Sequence, residues 1–126
     1  MSKPRILVIE DEPSVSSYFR HALWGDFEVE IAETISDAMA RLADESIPIQ
    51  CLTLDLNMPD GIGPTLIKKF RESFPAIPIV VISGFDFSVI ESVAAGAAEF
   101  LRKTETSPTL LIETLKRAIN SRRQSG

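Results

Sequence analysis

Five short apolar runs, each followed by a stretch of helical period, divide the chain. Ile6-Leu7-Val8-Ile9 is continuous, apolar and rich in β-branched residues, which marks a strand buried on both faces. Pro13 then suits the first turn of a helix, where its missing N–H costs no bond. Val15, Tyr18, Phe19, Ala22 and Leu23 follow the i, i+3, i+4, i+7, i+8 spacing of one inward face, with Trp24 expected to pack at the helix end or to contact a partner. Phe27-Glu28-Val29-Glu30-Ile31 alternates strictly, so one face is apolar and the other charged, as at a sheet edge. Thr34 followed by Asp37 resembles a capping box for a helix with Ile35, Ala38, Met39 and Leu42 inward.

The cycle continues. Cys51-Leu52-Thr53-Leu54 predicts a strand, followed by a Pro/Gly-rich loop and a helix opened by Pro64, with Leu66, Ile67, Phe70 and Phe74 inward. Ile79-Val80-Val81-Ile82 predicts a central strand, and Ser88 with Glu91 a capping box for a helix carrying Val89, Ile90 and Val93. Glu99-Phe100-Leu101 is the last strand. Ser107 and Pro108 then serve as N-cap and first-turn proline of a helix burying Leu111, Leu115, Ala118 and Ile119. Five strand–helix units imply an α/β fold, a doubly wound parallel sheet with helices on both faces. The alternating second strand at an edge favours the order 2-1-3-4-5. The sequence is read as one domain over residues 1–126, with 120–126 a polar tail or the start of a linker.

The chain is 44% hydrophobic and 25% charged, the balance of a globular domain rather than a disordered tail. No apolar run reaches the ~20 residues that cross a bilayer. The first run ends at Glu10, short of the ~7–15 residue core of a signal peptide, so a cytoplasmic protein is expected. A net charge of −5 speaks against direct binding to nucleic acid or to an anionic membrane. Cys51, the lone cysteine, sits in an apolar run and reads as a small core residue. His21 has no second histidine to join it in a metal site.

In a sheet of this kind ligands bind beyond the carboxyl ends of the strands. Glu10 and Asp11 follow the first strand, Asp55 the third, Ser83 the fourth and Lys103 the fifth. Singly each has an ordinary explanation: acids before a helix favour its dipole, Ser-Gly is a common turn pair, and most lysines are simply solvated. Together they form a set. Three clustered carboxylates repel by roughly 4 kcal/mol per pair at ~4 Å in an effective dielectric near 20, which asks for a divalent cation. Oxygen ligands with room for water and phosphate suit Mg²⁺. A lysine and a hydroxyl could hold the other phosphoryl oxygens, and positioning with charge neutralisation supplies most of the catalysis in phosphoryl transfer. Asp55 can act as the nucleophile.

Four segments, in order, resemble the receiver domains of bacterial response regulators: Arg5 to Pro13 their opening, Asp55-Leu56-Asn57-Met58-Pro59-Asp60-Gly61 their phosphorylation loop, Val81-Ile82-Ser83-Gly84 their switch hydroxyl, and Gly96 to Lys103 the stretch ending in their lysine. The resemblance implies that Asp55 accepts phosphate from a phosphohistidine on a sensor histidine kinase or histidine phosphotransfer protein. It implies Mg²⁺ held by Asp11, Asp55 and the backbone carbonyl of Asn57, with Glu10 assisting, and Lys103 paired with the phosphoryl group. Ser83 would move toward that group and Phe100 swing inward, changing the surface of the fourth helix, fifth strand and fifth helix for a downstream protein or output domain. A homodimer through that face is left open. Such a protein promotes only its own phosphorylation and dephosphorylation and is not an enzyme acting on a separate substrate.

The sequence departs from the family pattern in several places. Glu10 stands where aspartate is usual, Ser83 where threonine is commoner, Thr104 where proline often follows the lysine, and Gly61-Ile62-Gly63 replaces the usual loop. Phe100 lacks a hydroxyl, while Asn57 and Phe85 occupy positions that tune dephosphorylation in the family. Rivals fare worse. A flavodoxin-like electron carrier shares the architecture but needs a phosphate-cradling Ser/Thr/Gly loop where this chain has Glu10-Asp11-Glu12. An aspartyl-phosphate phosphatase resembles D-x-D, and Asn57 cannot serve as its general acid. A pseudo-receiver, acting as a protein-interaction module without phosphorylation, is the remaining alternative.

Overall fold

In the computed structural model, which describes residues 3–84 and 89–125, strands and helices alternate along the chain. They run β1 (Arg5–Ile9), α1 (Pro13–Leu23), β2 (Glu28–Ala32), α2 (Ile35–Ala43), β3 (Cys51–Leu54), β4 (Asn57–Met58), β5 (Gly61–Ile62) and α3 (Thr65–Ser73). Then come β6 (Ile79–Ser83), α4 (Val89–Ala95), β7 (Glu99–Arg102), a 3₁₀ turn at Lys103–Glu105, and α5 (Pro108–Ser125). The main sheet is parallel with order β2-β1-β3-β6-β7, so β6 and β7 are the fourth and fifth strands of the expected 2-1-3-4-5 arrangement.

Side-chain alternation splits the core in two. Leu7, Ile9, Leu52, Leu54, Ile79 and Val81 face α2 and α3, meeting Ile35, Ala38, Leu42, Leu66, Ile67 and Phe70. Ile6, Val8, Cys51, Val80 and Ile82 face α1 and α5, meeting Phe19, Leu23, Leu111, Leu115, Ala118 and Ile119. Burial on both faces is why the central strands are continuously apolar. At the edge, β2 places Glu30 outward, where its carboxylate accepts from Arg5 Nη1 at 3.0 Å and Arg41 Nη2 at 2.9 Å.

The caps are partly as expected. Thr34 Oγ1 accepts from the Asp37 amide at 2.9 Å, and Ser107 Oγ from the Leu110 amide at 3.1 Å. Ser88, half of the other expected box, lies outside the described residues, as does Phe85.

Several details differ from the sequence reading. Phe27 is buried but precedes β2, its amide turned back to the Leu23 carbonyl at 2.9 Å. Pro64 caps α3 rather than beginning it. The Pro/Gly-rich loop contains the β4–β5 hairpin, whose two-residue strands are too short to show a period. Tyr18 is 39% exposed, since its hydroxyl reaches out to the Thr106 carbonyl at 3.2 Å. Trp24 does not pack at the helix end but is 77% exposed. The sequence leaves the inward face of α4 undecided; Val89, Ile90 and Val93 all face solvent, and the helix buries Ser92. The polar stretch from residue 120 continues α5 to Ser125.

Candidate functional site

The ladder that builds the sheet runs one residue past the strands and sets two acids on its rim. The Glu10 amide donates to the Ala32 carbonyl at 3.0 Å, and the Asp55 amide to the Ile9 carbonyl at 3.2 Å. Glu10 is 1% exposed and Asp55 5%, far below what carboxylates ordinarily show. One carboxylate oxygen from each of Glu10, Asp11 and Asp55 lies within 4.8 Å of the others. The fifth position of the rim is filled by Lys103, at the start of the turn after β7. Its Nζ bridges Asp55 Oδ2 at 2.8 Å and Glu10 Oε2 at 2.9 Å.

The backbone holds the remaining oxygens. Asp55 Oδ1 accepts from the Asn57 amide at 3.0 Å, and Glu10 Oε1 from the Glu12 amide at 3.2 Å. Asn57 opens the hairpin, so its backbone borders the same rim. Both acids therefore arrive with fixed orientation. Burial pushes the Glu10 carboxyl above its ordinary range and Asp55 adds to the shift, while the bond from Lys103 opposes it. Burial alone would lower Lys103, but its bonds to Asp55 and Glu10 outweigh this and raise it. Lys103 is thus a fixed cation between two buried acids.

Ser83 ends β6 and is 1% exposed. Phe100, half-buried, lies on β7 opposite Val81, two residues back along β6 from Ser83, and packs against the same core. By strand alternation, Phe100, Val81 and Ser83 share one face of the sheet. Among the described residues, those expected at the site are therefore on this rim or on the strand pair leading from it. His21 is not, lying exposed on α1 with its Nδ1 2.8 Å from the Ser17 carbonyl.

The donor set suits a magnesium ion. It is all oxygen, it gathers three acids against one ammonium, and it is open enough for Asp11 to be partly exposed.

Two features were not legible in advance. Asp60, in the loop from Asp55 to Gly61, accepts from the amides of Ile35 at 2.8 Å and Ser36 at 3.0 Å. Those bonds pull its carboxyl below the usual range and fasten the hairpin loop to the start of α2. The second is a cavity of about 320 Å³ beside Lys103, walled by Val15, Tyr18, Phe19, Ile82 and Thr106. A hydrogen-bond partner far along the chain, as in Tyr18 to Thr106, leaves no local signal.

A family model described as the response regulator receiver domain matches residues 6–116. Among curated proteins the chain is similar to a protein-glutamate methylesterase/protein-glutamine glutaminase of Rhodospirillum rubrum, 28% identical over 121 residues, which cover 91% of this chain and 32% of that protein. It is also similar to the KDP operon transcriptional regulatory protein KdpE of Escherichia coli, 33% identical over 101 residues, covering 78% of this chain and 44% of the relative. The chain spans less than half the length of either. A solved CheY-like receiver domain protein of Methanospirillum hungatei superposes with a TM-score of 0.87 at 26% identity, covering 99% of this chain and 100% of the other. No helix among the described residues is long and apolar enough to cross a membrane.

Proposed function

The chain belongs to the response regulator receiver domain family, and from that membership we propose that it is a phosphoacceptor in which Asp55 takes a phosphoryl group from a phosphohistidine. The observation that carries this reading is the setting of Asp55: buried, bonded to Lys103 at 2.8 Å, and within 4.8 Å of Glu10 and Asp11.

An Asp55 oxygen attacks phosphorus, and a P–O bond forms as the P–N bond to the donor imidazole breaks. The electron pair stays on the imidazole nitrogen, which takes up a proton. The Asn57 amide at 3.0 Å fixes the carboxylate for attack, and Lys103 passes from the Asp55 oxygen to an incoming phosphoryl oxygen. Asp11, Asp55 and the Asn57 carbonyl, with Glu10, would hold Mg²⁺. When bound, the ion would neutralise charge on the phosphoryl oxygens. The cavity beside Lys103 gives a partner's donor helix or loop a place to seat against α1. Hydrolysis of the acyl phosphate returns Asp55.

Readout would follow the strand pair. Ser83 turning its hydroxyl to the phosphoryl group would change the face it shares with Phe100, on the strand β7 that packs against α4. A sensor histidine kinase or histidine phosphotransfer protein is the expected donor, and a downstream protein or output domain the recipient. A pseudo-receiver would have no use for a buried acid bridged by lysine, and is the poorer reading.

The test is intact mass after incubation with acetyl phosphate and Mg²⁺. Wild type should gain one phosphoryl group, lost on omission of Mg²⁺ and absent in Asp55→Asn. No adduct with acetyl phosphate or with a phosphohistidine donor would refute the proposal.

A further inference from the structure

We propose that the end of the sheet opposite the acidic rim carries a second docking surface, built on Trp24, that takes an acidic segment of a partner protein. Trp24 caps α1 and is 77% exposed. A free tryptophan of this size is a costly thing to leave in water, and tryptophan with arginine dominates the energetic centres of interfaces.

A cation lies over the ring. Lys3 Nζ donates to the Trp24 carbonyl at 3.2 Å and sits 5.6 Å from the ring centroid. Two recesses adjoin it. One, of about 310 Å³, is walled by Arg20, His21 and Trp24; the other, also about 310 Å³, by Lys3, Arg20, Trp24, Phe27, Glu28 and Val29. The His21 Nδ1 contact with the Ser17 carbonyl assigns the ring proton to that nitrogen and turns Nε2 away from its own helix.

The charge here runs against the rest of the molecule. On a chain of net charge −5, Lys3 and Arg20 gather around a single aromatic ring, with His21 beside it. Asp26, the nearby acid, is already paired with Lys116 at 2.9 Å, which leaves Glu28 as the one acid walling either recess. A local basic patch on an acidic protein selects a short acidic segment, whose carboxylates can meet the cations and whose apolar side chains can fill the two recesses. A nucleic-acid backbone suits it less, because its continuous charge would run onto Glu28 and the acidic remainder of the surface.

The surface is also separate from the phosphoacceptor site. Lys3 precedes β1 and Glu28 begins β2, whereas Asp55 follows β3, so the five-residue depth of the sheet, about 16 Å, lies between them. An occupant at Trp24 leaves the rim open.

Trp24 is the sole tryptophan, so its emission reports occupancy directly. The probe is a labelled peptide of glutamates interrupted by leucine, titrated into the whole chain and read by both Trp24 emission and peptide anisotropy. A saturable change is expected, weakened by salt, with affinity lower by about tenfold or more in Lys3→Ala/Arg20→Ala and in Trp24→Ala read by anisotropy. All three side chains are exposed, and circular dichroism would verify the fold of each variant. The proposal is overturned by no saturable change or by equal binding in the variants. It is equally overturned if single-stranded DNA or anionic vesicles bind as tightly, or if the patch proves to be occupied by a second copy, seen as self-association lost in Trp24→Ala.

Discussion

Replacing Lys103 with methionine keeps the apolar stem and deletes the charge that holds the acidic rim together. At 2.8 and 2.9 Å, each contact is worth roughly 6 kcal/mol of gross attraction at an effective dielectric near 20, most of it offset by desolvation. Without the ammonium, Glu10 and Asp55 remain buried with Asp11 within 4.8 Å, where each charged pair repels by roughly 3.5 kcal/mol. Removing one partner of a buried pair costs about 3–5 kcal/mol, and the 18% exposure of the Lys103 side chain places this case near the lower end, at about 3 kcal/mol. A divalent cation supplies charge of the missing sign, so Mg²⁺ should restore more stability to Lys103→Met than it adds to wild type. Urea unfolding at neutral pH, followed by far-UV circular dichroism with and without Mg²⁺, measures both quantities. Equal midpoints for the two proteins without Mg²⁺ would show that Lys103 does not neutralise the rim. So would an equal gain from the ion in both.

Other consequences are separable from the rim. Asp60→Ala removes the acceptor for the Ile35 and Ser36 amides and should cost about 1–2 kcal/mol in urea unfolding, with faster hydrogen exchange at both amides. Glu30 has its carboxyl held below the ordinary 4.5, first by the hydrogen bonds from Arg41 and then by Arg5. A carboxyl depressed in this way contributes stability that is complete above its unfolded value and lost as pH falls through the folded one. Wild type should therefore lose about 1 kcal/mol more than Glu30→Gln as pH drops from 6 to below 4.5, measured by thermal unfolding across that range. Cys51 is fully buried, and burial pushes its thiol up to about 12, so iodoacetamide at pH 8 should label the protein only in denaturant.

How much of this was legible depends on the range of the interaction. The central strands could be read because burial on both faces leaves an unbroken apolar run, as in Ile6–Ile9 and Ile79–Ile82. The rim followed from them: parallel strands deliver Glu10 and Asp55 to one end, and Lys103 arrives from the last strand. Features that depend on partners distant in sequence were not visible. The sequence marks Asp60 only as part of the loop from Asp55 to Gly61, because its two partners are 25 and 24 residues away. Helical spacing put Tyr18 on the inward stripe, and the stripe is real for Phe19 and Leu23, but the phenol hydroxyl needs an acceptor and finds it at Thr106. The sequence leaves the inward face of α4 undecided, and Val89, Ile90 and Val93 lie on its solvent side, since hydrophobicity alone does not say which face a short helix buries.

The most direct test of the account is to find where the phosphoryl group resides. Protein treated with acetyl phosphate and Mg²⁺ would be reduced with borohydride, which converts an acyl phosphate on aspartate to homoserine, and its peptides sequenced by tandem mass spectrometry. The account predicts conversion at Asp55, the residue it assigns as phosphoacceptor, with Glu10 and Asp11 unmodified. Modification at Glu10 or Asp11, or an adduct that survives in Asp55→Asn, would contradict it.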